Sequence, residues 1–244
     1  MIFGLSIYTT AMSVLFKFGL KDIIPFLQVS KELLIISVPI LNIVNLKHKP
    51  KFHLIDYLIL SYLLYLIVYA ILPIGEQGFL NRLLALKSIS FYIIVYFAGR
   101  FIDPKNVQIN TYFSYIVLLT ISAAVVTLTE VAVQTPLQFT SGYFDYSYYF
   151  YNLDADGDFG LKATFNSDTG YIRFASFFTS PLEHAGATLL ALAVIASLYT
   201  QENNKFNINK VSVLALTATL LSIVFALSRA PLASYCIIIY VYAV

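Results

Sequence analysis

Charged residues are scarce in this chain of 244 residues: 11% of positions, against roughly 25% in ordinary soluble domains. With 59% hydrophobic residues and a mean hydropathy of +0.78, there is more apolar surface than a soluble fold can hide, and an integral membrane protein is expected. Cysteine is nearly absent. The single Cys236 lies inside the last apolar run, which excludes an internal disulfide and any cysteine-rich metal site. Concentrated positive charge is lacking as well: the 15 basic residues are scattered and the net charge is only +2, so no nucleic-acid partner is expected. The first 20 residues have no basic n-region and no small-residue cleavage site, and apolar sequence continues at once, so they read as a first span. No internal repeat is evident, and with it the paired half-sites of a two-fold transporter are missing.

What the chain does have is apolar runs of membrane length. A hydrocarbon core of ~30 Å takes roughly 20 apolar residues per helix, and a helix satisfies its own backbone there. Spans are predicted near residues 2–20, 30–46, 54–74, 80–99, 111–133, 182–200, 211–228 and 230–244. The fold class is therefore all-α: a polytopic transmembrane bundle of about 7–8 spans forming one domain over 1–244. The last run stops at Val244 without a polar tail, so the chain is expected to be a truncated piece of a longer protein.

One interruption is large. Residues 134–180 hold fourteen Phe or Tyr in 47 positions and five aspartates against Lys162 and Arg173, a formal −3. Disordered segments lack aromatics, so this loop is expected to fold back onto the membrane surface, where tyrosines suit both the headgroup belt and the faces of sugar rings. Its acidity suits the outer side, with the basic connection Lys47-His48-Lys49-Pro50-Lys51 and the Arg100/Lys105 and Lys205/Lys210 connections cytoplasmic. Asp154-Ala155-Asp156-Gly157-Asp158 has the alternating carboxylates that open a calcium loop. Glycine at the fourth position and Phe165 at the twelfth break that pattern, so a solvated acidic turn is expected and no metal site is assigned.

Two stretches carry a resemblance. Tyr171-Ile172-Arg173-Phe174-Ala175-Ser176-Phe177-Phe178-Thr179-Ser180-Pro181-Leu182 runs into the small-residue helix at Ala185-Gly186-Ala187-Thr188, and Ala226-Leu227-Ser228-Arg229-Ala230 closes one span and opens the next. With Lys31-Glu32-Leu33-Leu34 early in the chain, they resemble the bacterial O-antigen polymerase and O-antigen ligase superfamily. The resemblance implies a multi-pass protein of the bacterial cytoplasmic (inner) membrane. It would polymerise undecaprenyl-pyrophosphate-linked oligosaccharide units of O-antigen, capsule or exopolysaccharide at the outer face, without nucleotide, metal or other cofactor.

Further partners would be the lipid bilayer and other polysaccharide-assembly membrane proteins. The alternatives are a ligase that delivers the glycan to another acceptor, and a non-catalytic transporter or scaffold component. Arg173 and Arg229 match the family's two arginines, and a guanidinium suits a pyrophosphate leaving group because its fork donates bidentate, charge-assisted hydrogen bonds. Glu183 and His184 are the candidate general bases, with a helix-start role as the simpler alternative. Lys87, Arg82, Ser228 and Tyr171 are the candidate substrate contacts; for the intramembrane cations, snorkelling is the plainer reading. Family members usually carry a second large outer loop with a histidine for the acceptor hydroxyl, and this sequence stops before one.

Overall fold

A computed structural model describes residues 2–44, 52–72, 78–101, 108–167, 169–200 and 206–243. Among these residues the chain is helical, with no strand and two isolated β-bridges. The helices are α1 (Ile2–Lys17), α2 (Ile24–Val44), α3 (Leu54–Ile71), α4 (Phe79–Arg100), α5 (Ile109–Val133), α6 (Leu137–Thr140), α7 (Tyr143–Tyr151), α8 (Pro181–Tyr199), α9 (Lys210–Phe225) and α10 (Arg229–Ala243). Eight of them coincide with the apolar runs. Three, over Leu54–Ile71, Asn110–Val133 and Pro181–Tyr199, are long and apolar enough to cross a membrane, while α9 and α10 are apolar but shorter. The basic stretch 47–51, together with Lys105, Lys205 and Asp168, lies outside the described residues.

The chain divides into two compact units, Met1–Ile24 with Gln108–Val244, and Pro25–Val107. In the first, α5, α8 and α9 pack on one another. Their contact faces are built from small residues at helical spacing: Ser212, Ala215, Ala218, Thr219 and Ser222 on α9, and Ala185, Thr188, Ala191 and Ala196 on α8. Small side chains let helix axes approach closely, which is how helices associate when lipid is as apolar as leucine. The hydroxyls among them cost little. Thr120, Thr127 and Thr188 donate to the carbonyls of Ile116, Ala123 and His184 one turn back in their own helices. Leu190 on α8 and Leu214 and Leu220 on α9 point outward, as on a lipid-facing surface. Tyr235 ties α10 to this core, its hydroxyl 3.0 Å from Thr219 Oγ1.

The long aromatic segment folds against α1. After α5 the chain reverses on Gln134, whose backbone is left-handed, and enters α6 and α7. Phe16 of α1 meets the rings of Tyr146, Tyr149 and Phe150, Lys17 Nζ donates to the Thr140 carbonyl at 2.7 Å, and Lys21 lies over the Tyr149 ring. The segment is thus a packed layer of short helices and turns.

In the second unit, α3 and α4 form an antiparallel hairpin held at both ends. At one end the Arg82 guanidinium donates to the Leu72 carbonyl. At the other, Asp56 accepts hydrogen bonds from the Tyr96 hydroxyl (2.6 Å) and the His53 amide (2.7 Å) and pairs with Arg100 at 3.4 Å. Only 1% of Asp56 is exposed, so its carboxylate depends on these partners. Asp56→Ala is expected to lower the midpoint of thermal unfolding clearly, followed by circular dichroism in detergent, with Asp56→Asn between it and the parent; equal midpoints would contradict the clamp.

Candidate functional site

The two arginine-bearing segments meet. In the segment that leads into α8, the Arg173 amide donates to the Phe165 carbonyl at 2.7 Å, and the next amide, Phe174, donates to the carbonyl of Phe225 at 3.2 Å. Phe225 is the last residue of α9, four positions before Arg229. Residues far apart in sequence are thereby joined by a backbone hydrogen bond that lies next to Arg173 and four residues before Arg229.

Local geometry fixes both segments. α9 ends through Ala226 on Leu227, which adopts the left-handed conformation (φ 46°) that commonly stops a helix, and Ser228 then accepts the Leu232 amide to start α10. Arg229 therefore opens α10, where the aligned peptide dipoles add positive potential to its own charge. Ser228 is buried and Arg229 exposed. Arg173 is half-buried. Among the described residues its buried Nε has no hydrogen-bond partner and no carboxylate pairs with it. An unsatisfied guanidinium N–H is costly to bury, and an anionic ligand would satisfy it.

The turn 173–180 is held from three sides. Ser176 has a left-handed backbone (φ 54°), uncommon for a residue with a side chain, and every polar group it offers is engaged. Its amide donates to Glu130 Oε2 (2.9 Å), its hydroxyl to the Ala123 carbonyl (3.0 Å), and its carbonyl accepts from Gln138 Nε2 (2.7 Å). Gln138 also donates to the Phe178 carbonyl, and Thr10 of α1 donates to that of Phe177. Glu130, only 4% exposed, uses its other oxygen to accept the Leu137 amide at 2.7 Å. One carboxylate thus ties the end of α5 to both ends of the aromatic layer.

The remaining predicted residues fall in different settings. Glu183 acts at the start of α8: its carboxylate accepts the Thr179 amide (3.0 Å) and hydroxyl, while its own amide donates to Ser180 Oγ. With Pro181 in the first turn this is a complete N-terminal cap, the simpler of the two roles expected for Glu183. His184 is fully buried, its ring stacked on Phe178 (centroids 5.3 Å, 14°) and its Nδ1 3.3 Å from the Phe174 carbonyl. It faces the helix core and supports the Arg173 turn from beneath. Tyr171 is 70% exposed beside a tight turn in which Ser167 accepts its amide and Gly170 is left-handed.

Lys87 and Arg82 belong to the second unit. There Lys87 pairs with Glu32 at 2.7 Å, and the Arg82 guanidinium lies over the Phe79 ring. In the acidic turn, Asp156 accepts the Ala163 amide (2.7 Å) and Asp158 accepts from Asn166 (3.0 Å), so both carboxylates brace the loop itself.

Sequence reasoning overlooked Gln138, Ser176 and Asp56. Asp56 alone carried a signal, as an isolated acid one turn into an apolar run. Gln138 and Ser176 are short polar residues among aromatics, and only long-range contacts reveal them. Compared with protein-family models, curated proteins and solved structures, the chain matches none.

Proposed function

We propose that this chain is a multi-pass membrane glycosyltransferase of the O-antigen polymerase type, with seven to eight spans and the 134–180 layer on the outer face of a bacterial cytoplasmic membrane. It joins oligosaccharide repeat units carried on undecaprenyl pyrophosphate. Arg173 and Arg229 receive the lipid pyrophosphate as it leaves. The observation that supports this reading is the Phe174 to Phe225 backbone hydrogen bond, which puts the Arg173 turn beside the helix end that leads to Arg229.

The chemistry then needs little else at the donor. As the glycosidic bond to the carrier breaks, negative charge grows on the pyrophosphate, and preorganised donors aimed at such charge are worth about 2.7–4 kcal/mol each. The Arg173 guanidinium has an unsatisfied buried N–H to give, and Arg229 adds to a helix N-terminus. Tyr171, exposed beside the Arg173 turn, offers a ring face to a sugar.

Bacterial cells deprived of this chain should accumulate lipid-linked single repeat units and lose the polymer ladder on carbohydrate-stained gels. Supplying the chain again should restore it. An unchanged ladder in its absence would overturn the polymerase reading.

A further inference from the structure

Between α5, α8 and α9 lies a cavity of about 40 Å³ whose lining includes Thr120, Phe178, His184, Thr188, Ala191 and Ser222. That is more than the roughly 10–15 Å³ one water molecule requires. Two fully buried side chains present polar atoms that have no protein partner among the described residues, His184 Nε2 and Ser222 Oγ.

The hydrogen-bond roles around the ring can be assigned. The Phe174 carbonyl can only accept, so His184 Nδ1 carries the proton that meets it, and in the neutral ring Nε2 presents a lone pair that needs a donor. Neither threonine can supply that donor. Thr120 and Thr188 spend their hydroxyl hydrogens on the carbonyls of Ile116 and His184, which leaves their lone pairs as acceptors. Ser222 is the one hydroxyl of the lining with its hydrogen uncommitted.

We infer that the cavity is a water-binding site in which an ordered water donates to His184 Nε2 and accepts the hydroxyl hydrogen of Ser222. Its second hydrogen goes to Thr120 or Thr188, giving the water three partners, the usual number for a buried one. The water joins α8 to α9 through polar groups that otherwise have nothing to bind. It also holds the imidazole in the orientation that keeps Nδ1 on the Phe174 carbonyl, one residue from Arg173. The site is a property of the helix core and stands whether or not the chain transfers sugars.

Solid-state NMR of the ¹⁵N-histidine-labelled protein in lipid tests this, with the His184 signal assigned by its loss in His184→Gln. Magnetisation should pass from water protons to His184 Nε2 in the parent protein. In Ser222→Val, which removes the hydroxyl and keeps a side chain of similar size, that transfer should be lost while the other histidine signals stay in place. Ala191→Leu, which fills the cavity, should abolish it too. A resolved His184 Nε2 signal with no water transfer in the parent would mean a dry cavity, and undiminished transfer in Ser222→Val would show that Ser222 does not hold the water; either result overturns the site.

Discussion

Arg229→Lys is expected to abolish polymer formation, with transfer falling on the order of 10²–10³-fold, the loss seen when one preorganised donor to a developing oxyanion is removed. The substitution keeps the charge. What it removes is the planar fork, and a compact, strongly hydrated ammonium cannot reproduce two parallel hydrogen bonds to one phosphate. Arg229 sits on the exposed first turn of α10, so the amount of inserted protein should not change. Arg173→Lys is expected to behave alike, since Arg173 Nε is a donor position that lysine lacks. Comparing ladders with immunoblots of the same membranes checks both. A normal ladder from either variant would make that arginine a surface anchor.

Glu130→Ala is expected to have the largest effect on the fold. Its two oxygens accept the amides of Leu137 and Ser176, the first from α6 and the second from the turn that follows Arg173. Alanine would leave the Ser176 N–H buried and unpaired at about 1–3 kcal/mol, and would strip the half-buried Leu137 N–H of its acceptor as well. It would also release the left-handed Ser176 from one of its three restraints. Glu130→Gln retains a single acceptor oxygen and sets its NH₂ against the other amide, so about half of the loss should remain. Limited proteolysis within 152–170 reads this out: cleavage should speed up in Glu130→Ala, less in Glu130→Gln, and cutting at the parent rate in Glu130→Ala would show that the layer is anchored elsewhere.

Helix positions were largely legible because each apolar run carries its own length signal. The run expected at 111–133 is α5, and that at 182–200 is α8, whose start was written in Ser180-Pro181-Leu182-Glu183 as cap, proline and first-turn acid. The start of the second span was less clear: α2 begins at Ile24, six residues before its predicted start, so residues 24–29 join the helix and Lys31 and Glu32, expected at its beginning, lie well inside it. The interior of the aromatic layer could be foreseen as ordered but not as helical. Tyr143–Tyr151 has neither apolar periodicity nor strong helix formers, and packing on Phe16 supplies what propensity does not.

At the site, sequence pointed to the arginines and to Glu183 and His184, but not to what they do locally. Whether an acid near a helix start caps that helix or faces a cleft is decided by contacts such as Thr179 to Glu183. Whether a histidine one residue further on is exposed depends on which face meets α5, where His184 stacks on Phe178. Pairings across elements, Glu32 with Lys87 and Asp56 with Tyr96, follow from helix register, which a single sequence does not display.

One binding experiment decides whether Arg173 and Arg229 share a pyrophosphate. The purified protein in lipid nanodiscs is offered a short-chain polyprenyl pyrophosphate and the matching monophosphate, and retention is followed by ³¹P NMR and native mass spectrometry. The pyrophosphate should bind in preference to the monophosphate, and Arg173→Lys and Arg229→Lys should each weaken it by at least about tenfold, or 1.4 kcal/mol. Equal retention of the two lipids, or pyrophosphate binding unchanged in both variants, would contradict the shared site.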